Sequence, residues 1–302
     1  MSGVQSVPTR QEATYLQVTL SWKARQRLRR TITAVLGYIL LSFVAIIFLV
    51  PFIRMATTSV MTQKQILTVP QTWVPTILVW HNYPDALGYF PFFTYLRNTM
   101  IICVFNVVAT VLSCAVVAYG FARIRWPGRN LLFAIVLGSM MIPYHVTLIP
   151  TFLIMKWLHW LGSLKALTLP NLTGSPFFIF LLRQFFMTIP ADLSEMAEMD
   201  GAGDLRVFWD MIMPLSKPAL ATVAVFTFLG NWNDFLWPLI VLGSDESKYT
   251  LSLGLYSYVG RRETAWGPLM AACTLTTMPV ITLYFIAQRY FVEGITLTGI
   301  KG

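Results

Sequence analysis

The chain is 302 residues long, 56% hydrophobic and only 12% charged, about half the charged share of a soluble domain, with a mean hydropathy of +0.63. Those figures exclude an ordinary soluble globular protein and leave room for one modest helical bundle in a bilayer. The net charge of +9 does not point to nucleic acid, because the basic residues lie between apolar stretches instead of forming one face, which fits membrane topology.

Residues 1–30 form a basic segment carrying Lys23, Arg25, Arg27, Arg29 and Arg30, suited to anionic lipid headgroups. From there on, residues 31–302 read as an all-α membrane domain. A spanning helix needs about 20 mainly apolar residues, and six stretches qualify: 31–53, 98–121, 130–152, 166–186, 219–242 and 268–288. The first is too long for a secretory h-region and no small-residue cleavage site follows it, so it reads as a retained anchor. In the fourth, Pro170, Asn171, Gly174 and Pro176 interrupt the first half, which a bundle tolerates where neighbours satisfy the freed carbonyls.

With six spans both termini share one side. That side also receives Arg123, Arg125 and Arg129; being richer in basic residues, it is expected to be cytoplasmic. Of the two long outer connections, residues 54–97 contain Pro70, Pro75, Pro84 and Pro91 with Trp73 and Trp80. Such aromatics read first as interfacial anchors and second as a docking surface for an extracytoplasmic partner.

Six of the 13 acidic residues, Asp192, Glu195, Glu198, Asp200, Asp204 and Asp210, fall in the largest inner loop, residues 190–218. Pro190 ends the fourth span. Asp192 is expected to cap a short helix, with Glu195 in capping-box register, and Gly201 to close it in the left-handed conformation. A second short helix starts after Asp204 with Leu205, Phe208 and Met211 on one face; Pro214 ends it, and Pro218 suits the first turn of the fifth span. A helix of about two turns is marginal in water. It rests either on its own bundle as a connector or in the groove of a soluble partner.

Within the fifth span, Asn231, Trp232, Asn233 and Asp234 form the most polar group at bilayer depth. Polar groups there face protein or a water-filled cavity, so they read either as an inter-helix hydrogen-bond network or as the lining of a solute path. No catalytic constellation is visible. There is no phosphate-binding glycine-rich loop, so the chain is not itself an ATPase. His81, His145 and His159 are scattered, Cys103, Cys114 and Cys273 lie in apolar segments, and neither set suggests a metal site. Asn171-Leu172-Thr173 fits a glycosylation acceptor but falls inside a span.

The inner loop resembles the "EAA" loop of ATP-binding-cassette importer permeases. Glu195, Ala197, Gly201 and Pro214 fall on its spacing, while Met196, Met211 and Met213 replace an alanine, an isoleucine and a leucine. MIPYHVTLIP at 141–150, FLLRQFFMTIPADL at 180–193, NWNDFLWPLIVL at 231–242 and QRYFVEGITLTGIKG at 288–302 are similar to the carbohydrate (maltose-type) branch. The resemblance implies a type I importer permease fold. It also implies a second permease subunit, two ATP-binding subunits that hold ATP and magnesium, and an extracytoplasmic sugar-binding protein. The cytoplasmic coupling helix would comprise Ser194, Glu195, Met196, Ala197, Asp200 and Gly201, with Pro214 downstream. An ion-coupled secondary transporter and a membrane scaffold are the competing readings; Asp234 is the single clear intramembrane charge for the former.

Overall fold

The computed structural model describes the backbone of residues 10–259 and 264–298, with side chains of residues 26, 28–259 and 264–289. Arg261, Arg262 and residues 299–302 lie outside the described residues. The described chain is helical and contains no strand. It divides into two compact units, residues 1–57 and 58–302.

The helices, in order, are α1 (Arg10–Thr58), α2 (Gln63–Ile66), α3 (Asn82–Tyr89), α4 (Phe92–Ala122), α5 (Arg129–Ser139), α6 (Tyr144–Trp157), α7 (Lys165–Thr168), α8 (Pro176–Thr188), α9 (Ala191–Met199), α10 (Asp204–Val207), α11 (Met213–Leu215), α12 (Lys217–Trp232), α13 (Leu236–Val241), α14 (Leu251–Tyr256) and α15 (Trp266–Thr298). Three segments are long and apolar enough to span a membrane unbroken: Leu28–Thr58, Phe92–Ala122 and Trp266–Arg289. These answer to the first, second and sixth expected spans, and the second begins at Phe92, six residues earlier than expected.

The third and fifth expected spans are not continuous helices. Residues 130–152 are split between α5 and α6, which meet at 100°. The cause is Pro143: it has no N–H for the carbonyl of Ser139, and it pushes Ile142 out of the helical region, so α5 ends at Ser139. Residues 219–242 are split between α12 and α13. Pro238 cannot donate to the carbonyl of Asp234; the Ser252 hydroxyl donates to it instead at 2.6 Å. In the fourth, α7 passes through a 3-10 turn, Leu169–Thr173, to Gly174 (φ +78°) before α8 starts. A Cβ at Gly174 would stand 3.2 Å from Cys114 Sγ, so glycine is needed there both for its conformation and for the close approach to α4.

Helix α4 is the axis of the second unit. Its small buried residues Cys114, Ala115 and Ala118 let α8 and α12 approach closely, as small residues do in membrane bundles. Around them lies one apolar cluster containing Phe133, Leu182, Phe186, Val207, Phe208, Ile212 and Val223. At the opposite end of α4 the Asn98 side-chain amide donates to the carbonyls of Ser247 and Tyr249, fixing the connection before α14.

Candidate functional site

Two features stand out: the loop that carries α9, and a cavity among the broken helices.

The root of α9 is an arginine clamp. Pro190 offers no N–H to the carbonyl of Phe186, which is left short of its helical donor. The Arg123 guanidinium, just beyond α4, supplies one: Nη2 donates to the carbonyls of Phe186 at 2.7 Å and Ile189 at 2.6 Å. In return Arg183 Nε, on α8, donates to the carbonyl of Phe121 near the end of α4 at 3.2 Å, with its guanidinium 4.1 Å over the Phe133 ring. Each cation thus neutralises the partial negative charge at the other helix's carboxyl end. Burial holds the Arg123 pKa below its usual value, but a guanidinium stays charged in proteins.

From this root α9 projects with Pro190 as its N-cap and no side-chain cap bond. Asp192 is therefore a first-turn residue, where its charge suits the helix dipole, and not the cap expected from sequence. The other end follows expectation. Gly201 has φ +82°, its N–H donates to the carbonyl of Glu198, and the Ala202 N–H donates to that of Ala197, both at 2.9 Å. That pair of bonds is a Schellman closure. The two alanines it joins pack against the apolar cluster of α4 and α8.

The helix faces are consequently distinct. Ser194 and Ala197 are half-buried on the inner side, while Glu195, Met196 and Asp200 are exposed. Leu193, Met196 and Met199 expose 38%, 59% and 81% of their surface, an apolar strip that the described chain leaves uncovered. The returning segment is the reverse. Val207, Phe208 and Ile212 are buried, the Phe208 ring lies 5.1 Å from that of Tyr119, and the Tyr119 hydroxyl donates to the carbonyl of Asp204. Leu205 does not join that face as expected; it is exposed. Nor does Pro214 end the second helix: a π-helical turn, Phe208–Ile212, absorbs the donor it lacks, and α11 continues to Leu215. Pro218 lies in the first turn of α12 as expected.

The cavity, about 440 Å³, is lined by Tyr144, Asn171, Asn231, Asp234 and Trp237 among others. These five residues come from helix breaks: Tyr144 opens α6, Asn171 lies in the 3-10 turn, and Asn231 to Trp237 straddle the α12–α13 break, while Thr151, also in the lining, sits within α6. Irregular backbone at membrane depth is tolerated where it lines such a space. The framework behind the lining is hydrogen-bonded. Asn106, fully buried in α4, donates through Nδ2 to the Leu167 carbonyl and to Asn231 Oδ1. Asn231 Nδ2 returns to the Thr227 carbonyl at 2.7 Å. The Trp237 indole N–H donates to the Ala166 carbonyl at 3.2 Å, and Asp234 Oδ1 accepts from the Trp237 backbone N–H at 3.4 Å.

The four polar-group residues singled out in the fifth span therefore separate. Asn231 and Asp234 face the cavity. Trp232 is buried in a different apolar cluster, stacked on Phe228 at 5.3 Å between ring centroids. Asn233 is exposed and folds its amide back onto the Leu229 carbonyl. Sequence reading missed Asn106, Tyr144, Asn171 and Trp237; the helix-breaking prolines Pro143, Pro170 and Pro238 beside them were the available signal. Among the described residues no group of His, Cys, Asp or Glu could hold a metal ion.

Comparison with known proteins bears on both features. Residues 111–297 match the family described as binding-protein-dependent transport system inner membrane component. The chain is 34% identical over 85% of its length to the sn-glycerol-3-phosphate transport system permease protein UgpE of Yersinia enterocolitica, covering 94% of that protein. It is 34% identical over 76% of its length to the arabinooligosaccharides transport system permease protein AraQ of Bacillus subtilis, covering 81% of it. A chain from the crystal structure of a bacterial ABC transporter involved in the import of the acidic polysaccharide alginate superimposes with a TM-score of 0.77 at 27% identity, over 86% of this chain and 96% of that one. The chain belongs to the binding-protein-dependent transport system inner membrane components, and it is a multi-pass permease subunit of an ATP-binding-cassette importer, not itself an enzyme.

Proposed function

We propose that this chain forms half of the translocation path for a sugar or sugar-like solute, paired with a second permease subunit and driven by two ATP-binding subunits that hold ATP and magnesium. In this reading α9 is the coupling helix and both termini lie on its side, the cytoplasm; a sugar-binding protein delivers solute to the opposite face. The observation that carries it is the apolar strip Leu193–Met196–Met199, exposed on a two-turn helix that is firmly rooted at Arg123 and closed at Gly201. A helix built this way is suited to lie in a groove. Glu195 and Asp200, exposed beside the strip, would meet the groove's rim, while Ser194 and Ala197 face the bundle and would transmit its motion inward. Pro214 acts at a distance, through the buried return segment that holds the loop against α4.

Nucleotide closure of the ATPase pair would then shift the bundle between two states by differential contact with α9. The solute path is the cavity lined by Asn231 and Asp234, joined by Tyr144, Asn171 and Trp237. Its volume lies within the range of small-molecule sites, and amides beside aromatic rings suit hydroxylated cargo. The cargo named for the relatives, arabinooligosaccharides in one case and a glycerol phosphate in another, supports the solute class.

The test is reconstitution of the complete importer in proteoliposomes with alanine at Tyr144 or Trp237. Solute uptake per ATP hydrolysed should fall roughly tenfold, as expected for losing a contact worth about 1.4 kcal/mol. Unchanged uptake in both variants removes the cavity from the path.

A further inference from the structure

Relatives of this chain are named for both neutral and anionic cargo: arabinooligosaccharides, sn-glycerol-3-phosphate and the acidic polysaccharide alginate. The cavity described above discriminates between these chemistries. We infer that it admits an uncharged, hydroxyl-rich solute such as a neutral oligosaccharide and excludes anionic sugars and sugar phosphates; this rests on the reading of that cavity as the solute path.

The argument is one of charge inventory. None of the ten residues lining the cavity is Lys, Arg or His, and one, Asp234, carries a carboxylate. Lys165 and His145 adjoin lining residues in sequence, yet neither forms part of the lining; Lys165 is exposed. A site that binds phosphate or carboxylate characteristically presents Arg or Lys forks to it. The amino end of α6, at Tyr144, brings about half a positive charge. The Asp234 carboxyl group opposes it, and the carboxyl end of α12, at Asn231 and Trp232, adds a partial negative charge of the same size.

The groups that are present suit neutral rings. Asn171 and Asn231 supply amides, each able to donate and accept. Asp234 accepts from sugar hydroxyls without requiring a cation on the cargo. Tyr144 and Trp237 offer apolar faces with polar edges, and the indole is held in place by its bond to the Ala166 carbonyl. The carboxylate is itself structurally anchored, since Asp234 Oδ1 accepts from the Trp237 N–H and its backbone carbonyl from Ser252. Its carboxyl group therefore stays at the cavity while cargo passes. A rigid like charge in a low-dielectric site makes a strong filter.

The experiment uses the complete importer in proteoliposomes with its binding protein. The probes are a neutral oligosaccharide the binding protein accepts and the same sugar oxidised to its uronate, each measured first for binding to the binding protein alone. Uptake, corrected for that binding, should favour the neutral form by roughly tenfold or more. Asp234→Asn, which keeps an oxygen to accept from Trp237, should shrink the preference, read as the ratio of the two corrected uptakes within the variant. Equal corrected uptake of both forms by the wild type, or a preference unchanged in Asp234→Asn, overturns charge selection. If Tyr144→Ala and Trp237→Ala both leave neutral uptake intact, the path reading itself fails. If they abolish uptake while the Asp234→Asn preference stays fixed, only charge selection fails.

Discussion

Arg123 donates to the carbonyl oxygen of Ile189 at 2.6 Å, one residue before the proline at which α9 begins. The bond ties the end of α4 to the start of the helix assigned to coupling. Because the same guanidinium also holds Phe186 and Arg183 ties α8 back to Phe121, a push on α9 is delivered to α4 and α8 together. Helix α4 reaches the cavity side of the bundle, where its Asn106 holds Asn231 directly.

Arg123→Ala should therefore uncouple the importer without preventing insertion. Hydrogen bonds to charged groups are worth about 1.5–3 kcal/mol each, and the variant removes the guanidinium from both carbonyls, leaving Phe186 the Ile189 N–H at 3.3 Å. Transport per ATP hydrolysed should drop roughly tenfold or more. Arg123→Lys, a point charge with no fork, should fall between. Parallel loss of transport and ATPase activity in both variants would mark Arg123 as a folding residue only.

The two faces of α9 make opposite forecasts for neighbouring residues. A cysteine at Met196, 59% exposed, should cross-link to an ATP-binding subunit in the assembled importer. A cysteine at Ala197, half-buried and packed on the inner cluster, should cross-link several-fold less, since packing restricts a thiol's access and its thiolate character. Comparable yields from both positions would mean that α9 is rotated from the orientation described.

Much of this was legible in the residues, and the exceptions share a physical cause. Apolar length located three spans as unbroken helices, the glycine at 201 announced a left-handed closure, and Pro190 announced the short helix that follows it. Broken helices were legible only where breakers cluster, as at Pro170, Asn171, Gly174 and Pro176. Pro143 and Pro238 each stand with no other proline or glycine in the adjoining turn, and an isolated proline is tolerated in a membrane helix, so the loss of helical donors at Ser139 and Asp234 does not follow from them alone. Arg123 read as a topology charge because a sequence counts cations without showing which carbonyls they meet. The Asn231–Asp234 group was found, but helix breakage decides which members face the cavity. That is why Trp232 turned inward to Phe228 while Trp237, unremarked in sequence, reached the lining.

Asn106 should be the most sensitive polar residue of the bundle. It is fully buried and bonds both the Leu167 carbonyl and Asn231, joining α4, α7 and α12. Asn106→Ala leaves Asn231 Oδ1 without this donor, at about 1–3 kcal/mol, within the range seen for interhelical bonds in membranes at its lower end, while the Leu167 carbonyl keeps the Asn171 amide. The thermal unfolding midpoint of the purified complex in detergent should fall by several degrees, about 2–4 °C per kcal/mol for a domain of this size. Uptake should fall with it because Asn231 is released toward the cavity. A variant with an unchanged midpoint and normal uptake would contradict the network.

Gly201 offers the cleanest separation of backbone from contact effects. Its φ is +82°, and a Cβ built there meets nothing within 4 Å, so any loss on substitution comes from conformational strain at the closure. A left-handed L-residue costs about 1–2 kcal/mol; Asn tolerates that region better than Ala, and a β-branched residue worse. Loosening the closure breaks the Ala202-to-Ala197 bond and frays the last turn of α9, where Met199 sits. Coupling should consequently decline in the order Gly, Asn, Ala, Val, with Val reducing transport per ATP by roughly tenfold. The same order should appear in the cross-linking yield of a cysteine at Met196 measured in each background. Were Asn and Ala equivalent and Val no worse, strain at residue 201 would not control α9. The small side chain would then matter only for the surface it presents to the ATPase.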